Sequence, residues 1–326
     1  MNRFVLFLVL FPILAFGVRR PTAAEQKALT HGAEACVVFR VIDVRDRPVE
    51  KALVEGNFWN DTRKGNPYSM NTDSNGVCVV TRTCSDDYHF AVTKEGYYRT
   101  KGRKVLWNPN FISIKDGKWQ PYGATNTVVL KRKVNPVAMC VAWNEARSSL
   151  PDEDCLIGYD MKTADWVMPW GKGKTADFFI RYVRQVGTNR LEIKSTLTIA
   201  FTNVLDGVYR MKTDDSGSAM RTVYKADTNA VYARTLAFVY DRTAEKINTD
   251  TYLTPDDYLV LRTRTECDGH GNLKKANYAK IVGKLAITRE NKLKIRFYFN
   301  PNENDPNLEA DTTKNLLNPR DLGFPP

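Results

Sequence analysis

Val41-Ile42-Asp43, Arg47-Pro48-Val49, Ala52-Leu53-Val54, Thr72-Asp73-Ser74-Asn75-Gly76 and Lys94-Glu95-Gly96-Tyr97 follow one another between Val38 and Tyr98, and their order decides the fold. Val37 to Val44 is rich in β-branched residues and stops at Arg45-Asp46-Arg47-Pro48, a strand ending in a turn. Ala52 to Trp59 supplies the next strand, and a polar loop covers Asn60 to Tyr68. At Thr72 to Gly76, the Asp73 carboxylate can accept the backbone N–H groups ahead of it, while Gly76 tolerates a positive φ. Val77 to Thr81 and Tyr88 to Thr93 read as strands. Val105 to Gly123 reads as a long loop, and Thr127 to Leu130 as the closing strand. This is the layout of a small β-sandwich.

Asn135-Pro136 then punctuates the chain. Beyond it, strand-like stretches recur at Ala176 to Val186, Leu191 to Phe201, Val231 to Tyr240, Tyr258 to Thr265, Tyr278 to Thr288 and Lys292 to Phe299. Cys267 to Asn272 and Arg289 to Asn291 read as hairpin loops. Helical periodicity is almost absent, so the expected class is all-β: the first sandwich, then a second antiparallel sandwich or open barrel. The expected organisation is a signal peptide over 1–24, a sandwich over 35–133, a linker over 134–139, and a second β domain over 140–326 with an irregular C-terminal tail. Tyr68-x-Met70-x-Thr72-Asp73 running to Gly76 is echoed by Tyr209-x-Met211-x-Thr213-Asp214 running to Gly217. Either a duplicated sandwich or shared turn chemistry produces such an echo.

With these motifs in order, residues 35–133 resemble the carboxypeptidase regulatory-like domains, transthyretin-like β-sandwiches found in exported bacterial proteins. The resemblance is carried by Val41-x-Asp43-x-x-Asp46-x-Pro48-Val49-x-x-Ala52-x-Val54, Thr72-Asp73-x-Asn75-Gly76 and Lys94-Glu95-Gly96-Tyr97. The family has glycine where Asp46 and Lys51 stand here. Some relatives cross-link themselves through a lysine of the first strand; Cys36 to Val44 contains none, so that chemistry does not carry over. The resemblance implies an accessory sandwich for spacing, docking or ligand contact, and no catalytic residues. The second domain resembles only exported bacterial proteins of similar layout and unassigned function.

Arg3 followed by an apolar run from Phe4 to Val18 is shorter than the ~20 residues of a membrane span, and reads as a cleaved secretory signal. Cleavage after Gly17 (Ala15 at −3) and after Ala24 (Thr22 at −3) both fit. The formal charge of +11 would then become +10 or +8, as Arg3 alone or Arg3, Arg19 and Arg20 are lost. The Lys and Arg residues are scattered among carboxylates with no recognition motif, which argues against nucleic acid as a partner. Six cysteines lie beyond the signal, in a disulfide-permissive compartment. Cys140 and Cys155 flank a polar loop between two strand-like pieces, so that pair is the expected bridge, with Cys36–Cys84 as a second guess. No C-x-x-C occurs and only three histidines are present, so neither a metal centre nor a cofactor is expected.

Trp170-Gly171-Lys172-Gly173-Lys174-Thr175 lacks the upstream glycine of a phosphate loop and precedes a strand, so it reads as a basic turn. Asn300 to Asp305 spaces oxygen ligands as calcium loops do, but Asp305 and Pro306 stand where such a loop needs its sharp turn. Trp143, Trp166 and Trp170 fall within 28 residues, beside Lys172 and Lys174. Indole faces stack on sugar rings and ammonium groups bind acid groups, which makes these five residues the expected ligand site. No Gly-x-Ser-x-Gly elbow is present. The sequence therefore reads as a secreted or periplasmic, non-catalytic binding or structural protein of a bacterial envelope. Its partner would be a cell-surface glycan or an envelope protein. The alternative is a secreted carbohydrate-active hydrolase with paired carboxylates in the second domain.

Overall fold

The computed structural model describes residues 19–59, 65–108, 110, 112–142, 148–189, 192–243, 247–248, 253–288 and 290–326. The expected signal segment up to Val18 and Trp143 fall outside these residues. The described chain forms two compact units, one running to Glu95 and resuming over Arg99–Leu130, the other made of Gly96–Tyr98 and Lys131–Pro326. Strands are nearly the sole regular elements described in either. Among the described residues no helix is long and apolar enough to cross a membrane.

The first unit holds α1 (Ala23–His31), β1 (Ala33–Asp43), β2 (Leu53–Trp59), β3 (Gly65–Asn71), β4 (Val77–Cys84), β5 (Asp87–Thr93), β6 (Thr100–Val105), β7 (Ile114–Lys115), β8 (Lys118–Trp119) and β9 (Ala124–Leu130). In one sheet β1 pairs with antiparallel β4 on one side, and with β8 and then parallel β9 on the other. The second sheet has the order β3-β2-β5-β6. Phe39 from one sheet meets Tyr68, Tyr88 and Phe90 from the other, and Phe58 stacks on Tyr88. Each such ring contributes about 1.5–3 kcal/mol on burial. Two stretches expected to be loops carry strands: β3 begins at Gly65, and β7 with β8 form a short hairpin inside 105–123. Asp46 (φ 57°) and Lys51 (φ 53°) are both left-handed, the conformation for which the resembled family uses glycine. The Asp73 turn forms as expected, with Oδ1 accepting from Asn75 N at 2.9 Å and Val77 N at 2.8 Å.

The second unit holds β10 (Val137–Ala142), β11 (Ile157–Asp160), β12 (Asp165–Trp166), β13 (Phe178–Val186), β14 (Ile193–Ala200), β15 (Gly207–Lys212), β16 (Thr235–Arg242), β17 (Ile247–Asn248), β18 (Asp257–Cys267), β19 (Leu273–Val282), β20 (Ala286–Ile287), β21 (Leu293–Lys294), β22 (Phe297–Asn300) and β23 (Ala310–Asn315). Two six-stranded sheets, β15-β18-β19-β22-β10-β23 and β12-β11-β13-β14-β16-β17, contribute to a shared apolar core. Strand alternation sends Leu259, Leu261, Ala279, Ile281, Phe297 and Phe299 into that core. Residues of opposite parity, Tyr258, Val260, Tyr278 and Tyr298, enter two smaller clusters that also take in Leu308, Ala310 and Phe324. The first sheet is thus covered on both faces. The C-terminal segment expected to be an irregular tail instead supplies β23 and part of this covering. Buried Glu309 accepts from Tyr98 OH at 2.6 Å, Val134 N at 2.9 Å and Asn135 N at 2.6 Å, and so fixes the stretch expected to be a linker.

The expected Cys140–Cys155 bridge is not formed, and all six cysteines are free. The expectation rested on the two flanking strands pairing with each other. Instead β10 lies between β22 and β23 in one sheet, while β11 lies between β12 and β13 in the other. Cys140 is buried in the core; Cys155 is exposed, with its thiol 3.3 Å from Asp152 Oδ2. Cys36 faces Thr81 and Cys84 faces Ala33, so the second guess is three positions out of register. After Gly76 the chain enters β4, whereas after Gly217 it runs into irregular structure, so the internal echo reflects turn chemistry alone.

Candidate ligand-binding cavity

The expected tryptophan platform is not assembled. Trp166 is 2 % exposed and edge-on to Tyr159, with its indole N–H donating to Ser149 O at 2.7 Å. A ring held this way is core and offers no face to a sugar. Trp170 is 53 % exposed, and Lys172 and Lys174 are exposed beside it. Their turn is tied down by two carboxylates: Asp165 Oδ2 accepts from Lys172 N at 3.0 Å, and Asp160 Oδ2 accepts from Lys174 N at 2.9 Å. A Cβ at Gly173 would stand 2.7 Å from Asp160 Cβ, which explains the glycine there. One indole and two ammonium groups remain on this surface.

A different site emerges at one end of the second sandwich. The inward-facing positions of β13, β14 and β16 line up in transverse rows. Ile180, Ile199 and Leu236 make the first row, then Tyr182, Leu197 and Phe238. The next row is Arg184, Ser195 and Tyr240, and beyond it Ile193 pairs with Arg242. The face is apolar where the opposite sheet covers it and turns to tyrosine, serine and arginine where the core ends. There a cavity of about 620 Å³ opens, lined further by Leu253, Thr254, Lys284, Ala286, Ile287, Thr288 and Lys294. The last five belong to, or directly precede, the β20–β21 hairpin. The volume lies within the ~300–1,000 Å³ of small-ligand pockets.

Four cations and two phenols converge on this cavity, and no carboxylate lines it among the described residues. Outside the cavity some guanidinium groups are matched with acids, Arg47 with Asp43, Arg210 with Asp257 and Arg221 with Asp256, while Arg82, Arg234 and Arg262 bond backbone carbonyls. Arg184, Arg242 and Lys284 have no carboxylate partner among the described residues. Ser195, Thr254 and Thr288 add hydroxyls that both donate and accept. The arrangement suits an anionic, hydroxyl-bearing ligand with an apolar face. The signal was present in the sequence: Ile180-x-Tyr182-x-Arg184 and Phe238-x-Tyr240-x-Arg242 repeat one alternating pattern on the two strands flanking β14. It went unread because alternation alone does not tell which end of a strand outruns the opposing sheet.

The structure does bring two carboxylates together, but not in a cleft. Arg264 Nη2 donates to Asp160 Oδ1 at 2.8 Å, and its Nε and Nη2 reach the two Asp177 oxygens at 2.7 and 2.8 Å. Asp177 also accepts from Met161 N and Thr263 Oγ1. Burial pushes the Asp177 carboxyl up, against the pull of Arg264. With a guanidinium between them and both side chains buried, these acids act as a clamp between the sheets. They leave no room for a sugar and a water. The Asn300 loop is likewise self-satisfied, because Asn300 Nδ2 donates to Asp305 and to Asn307 O. No group of three or more metal-ligating side chains occurs among the described residues.

No protein-family model matches the sequence, and no curated protein matches it. Among solved structures, a 3-chlorocatechol 1,2-dioxygenase from Rhodococcus opacus overlaps 40 % of this chain and 70 % of its own, at 11 % identity and a TM-score of 0.27. The catechol 1,2-dioxygenase of Acinetobacter radioresistens overlaps 36 % at 16 % identity and a TM-score of 0.25; the chain spans just over half of that enzyme's length, 57 %. A shaft pilin from Lactobacillus rhamnosus overlaps 77 % of this chain and 88 % of its own, at 8 % identity and a TM-score of 0.23. Overlaps this slight carry no argument about activity, which rests on the chain's own residues.

Proposed function

We propose that this chain is an exported, non-catalytic binding protein of a bacterial envelope that holds an acidic glycan in the cavity of its second unit. In this reading the first unit is a carboxypeptidase regulatory-like accessory sandwich. The observation that supports it is the convergence of Arg184, Arg242, Lys284 and Lys294 with Tyr182 and Tyr240 on a cavity without a described carboxylate. Arginine forks donate paired hydrogen bonds to a carboxylate or phosphate, and phenol rings pack on the apolar face of a sugar while their hydroxyls bond its edge.

Affinity electrophoresis in gels containing polygalacturonate, with a neutral galactan gel as control, tests the reading. The full chain should be retarded by the acidic polymer alone. Arg184→Gln combined with Arg242→Gln should abolish the retardation at unchanged melting temperature. Equal retardation in both gels, or retardation that survives the double substitution, would refute it.

A further inference from the structure

We infer that the occupant of this cavity carries acid groups on at least two sugar units, so that the site selects an acidic oligosaccharide over a single acidic sugar. The inference rests on the anionic-glycan reading above and deepens it. Its basis is the placement of the cations. Arg184 stands on β13 and Arg242 on β16, on opposite flanks of β14 and one transverse row apart. Strand spacing and rise put their backbones about 12 Å from each other. Lys284 and Lys294 come from the other side, before and within the β20–β21 hairpin.

One carboxylate accepts one bidentate guanidinium fork. With Arg184, Arg242 and Lys284 all lacking a carboxylate partner among the described residues, a ligand with a single acid group would leave at least two cations unmatched in one cavity. A ligand with recurring acid groups matches both arginines at once, while Ser195, on the strand between the arginines, and Tyr240, beside Arg242 on β16, meet the intervening ring. Carboxylates of a polyuronate and phosphodiesters of a phosphate-linked glycan share this chemistry.

Calorimetric titration of the full chain with galacturonic acid, tetragalacturonic acid and poly(glycerol phosphate), at 50 and 200 mM NaCl, separates the cases. The tetramer should bind at least tenfold more tightly than the monomer. Its affinity should fall about tenfold between the two salt concentrations, as expected for two or more ion contacts, where one contact gives about threefold. In Arg184→Gln or Arg242→Gln the fall should shrink to about threefold. Tight, salt-sensitive binding of poly(glycerol phosphate) alone, a polyanion without sugar rings, overturns the inference. Equal affinity for monomer and tetramer, or a threefold salt effect in the unsubstituted chain, overturns the inference but leaves the anionic-glycan reading standing. Absence of binding to all three probes overturns both.

Discussion

Replacing Lys280 by methionine should stabilise the second unit at neutral pH and abolish a rise in stability toward alkaline pH. Lys280 lies on β19 and is fully buried, with Nζ donating to Thr222 Oγ1 at 2.8 Å and standing 4.7 Å from the centre of the Tyr298 ring. No carboxylate pairs with it among the described residues. Burial pushes its ammonium down to about 7; Glu309 opposes that shift and Lys131 adds to it. The unfolded chain keeps this proton up to about pH 10.4. Between those limits the unfolded state therefore binds more protons, and stability rises with pH by up to about 1.4 kcal/mol per pH unit. Buried thiols act in the opposite sense above pH 9, since Cys78 and Cys140 are pushed up to about 11 and Cys84 to about 12. The informative window is thus pH 7 to 9, where Lys280 should contribute about 2–3 kcal/mol of pH-dependent stability. Methionine keeps the length without the charge, at the loss of the Thr222 hydrogen bond, about 1 kcal/mol. Urea unfolding from pH 6 to 9 measures this as a difference in midpoint at constant m. The variant should be more stable by about 3–4 kcal/mol at pH 6–7, and the gap should narrow to about 1 kcal/mol by pH 9. Parallel pH profiles for the two proteins would refute the reasoning.

Three further outcomes follow from the geometry. Lys51→Gly should raise the stability of the first unit by about 0.5–1 kcal/mol, because relief of the left-handed strain exceeds the added chain entropy; a lower urea midpoint would count against it. Trp166→Ala should lower stability by about 3–5 kcal/mol, whereas Trp170→Ala should stay within about 0.5 kcal/mol, and similar losses for both would contradict the placement of Trp166 in the core. Finally, on the proposed export, the mature chain should begin at Val18 rather than Glu25. Arg19 pairs with buried Glu25 at 2.7 Å, and Thr22 caps α1 with a reciprocal bond to Glu25, so both residues belong to the folded unit. N-terminal sequencing that reads Glu25-Gln26 would reject this.

Much of the local structure was legible in the sequence, because it depends on interactions a few residues long. β1, β2, β4, β5, β13 and β18 lie where alternation and β-branched residues placed them, and the Asp73 turn closes through its own neighbours. Asp46 and Lys51 stood out as departures from glycine, and both proved left-handed. The errors concern relations between distant residues. Alternation shows which side chains share a face but not which face is covered, so Trp166 and Trp170 looked equivalent until β12 was seen against the core. Adjacency in sequence suggested that β10 and β11 pair, whereas the fold assigns them to different sheets and separates Cys140 from Cys155. The cavity arose in the same way. Its tyrosines and arginines were visible as alternating residues on β13 and β16, but only the register across β14, the reach of the opposing sheet and the placement of the β20–β21 hairpin make them one site. Local hydrogen bonding specifies strands and turns within a few residues of chain; burial is a property of surfaces that meet only when the whole chain has folded.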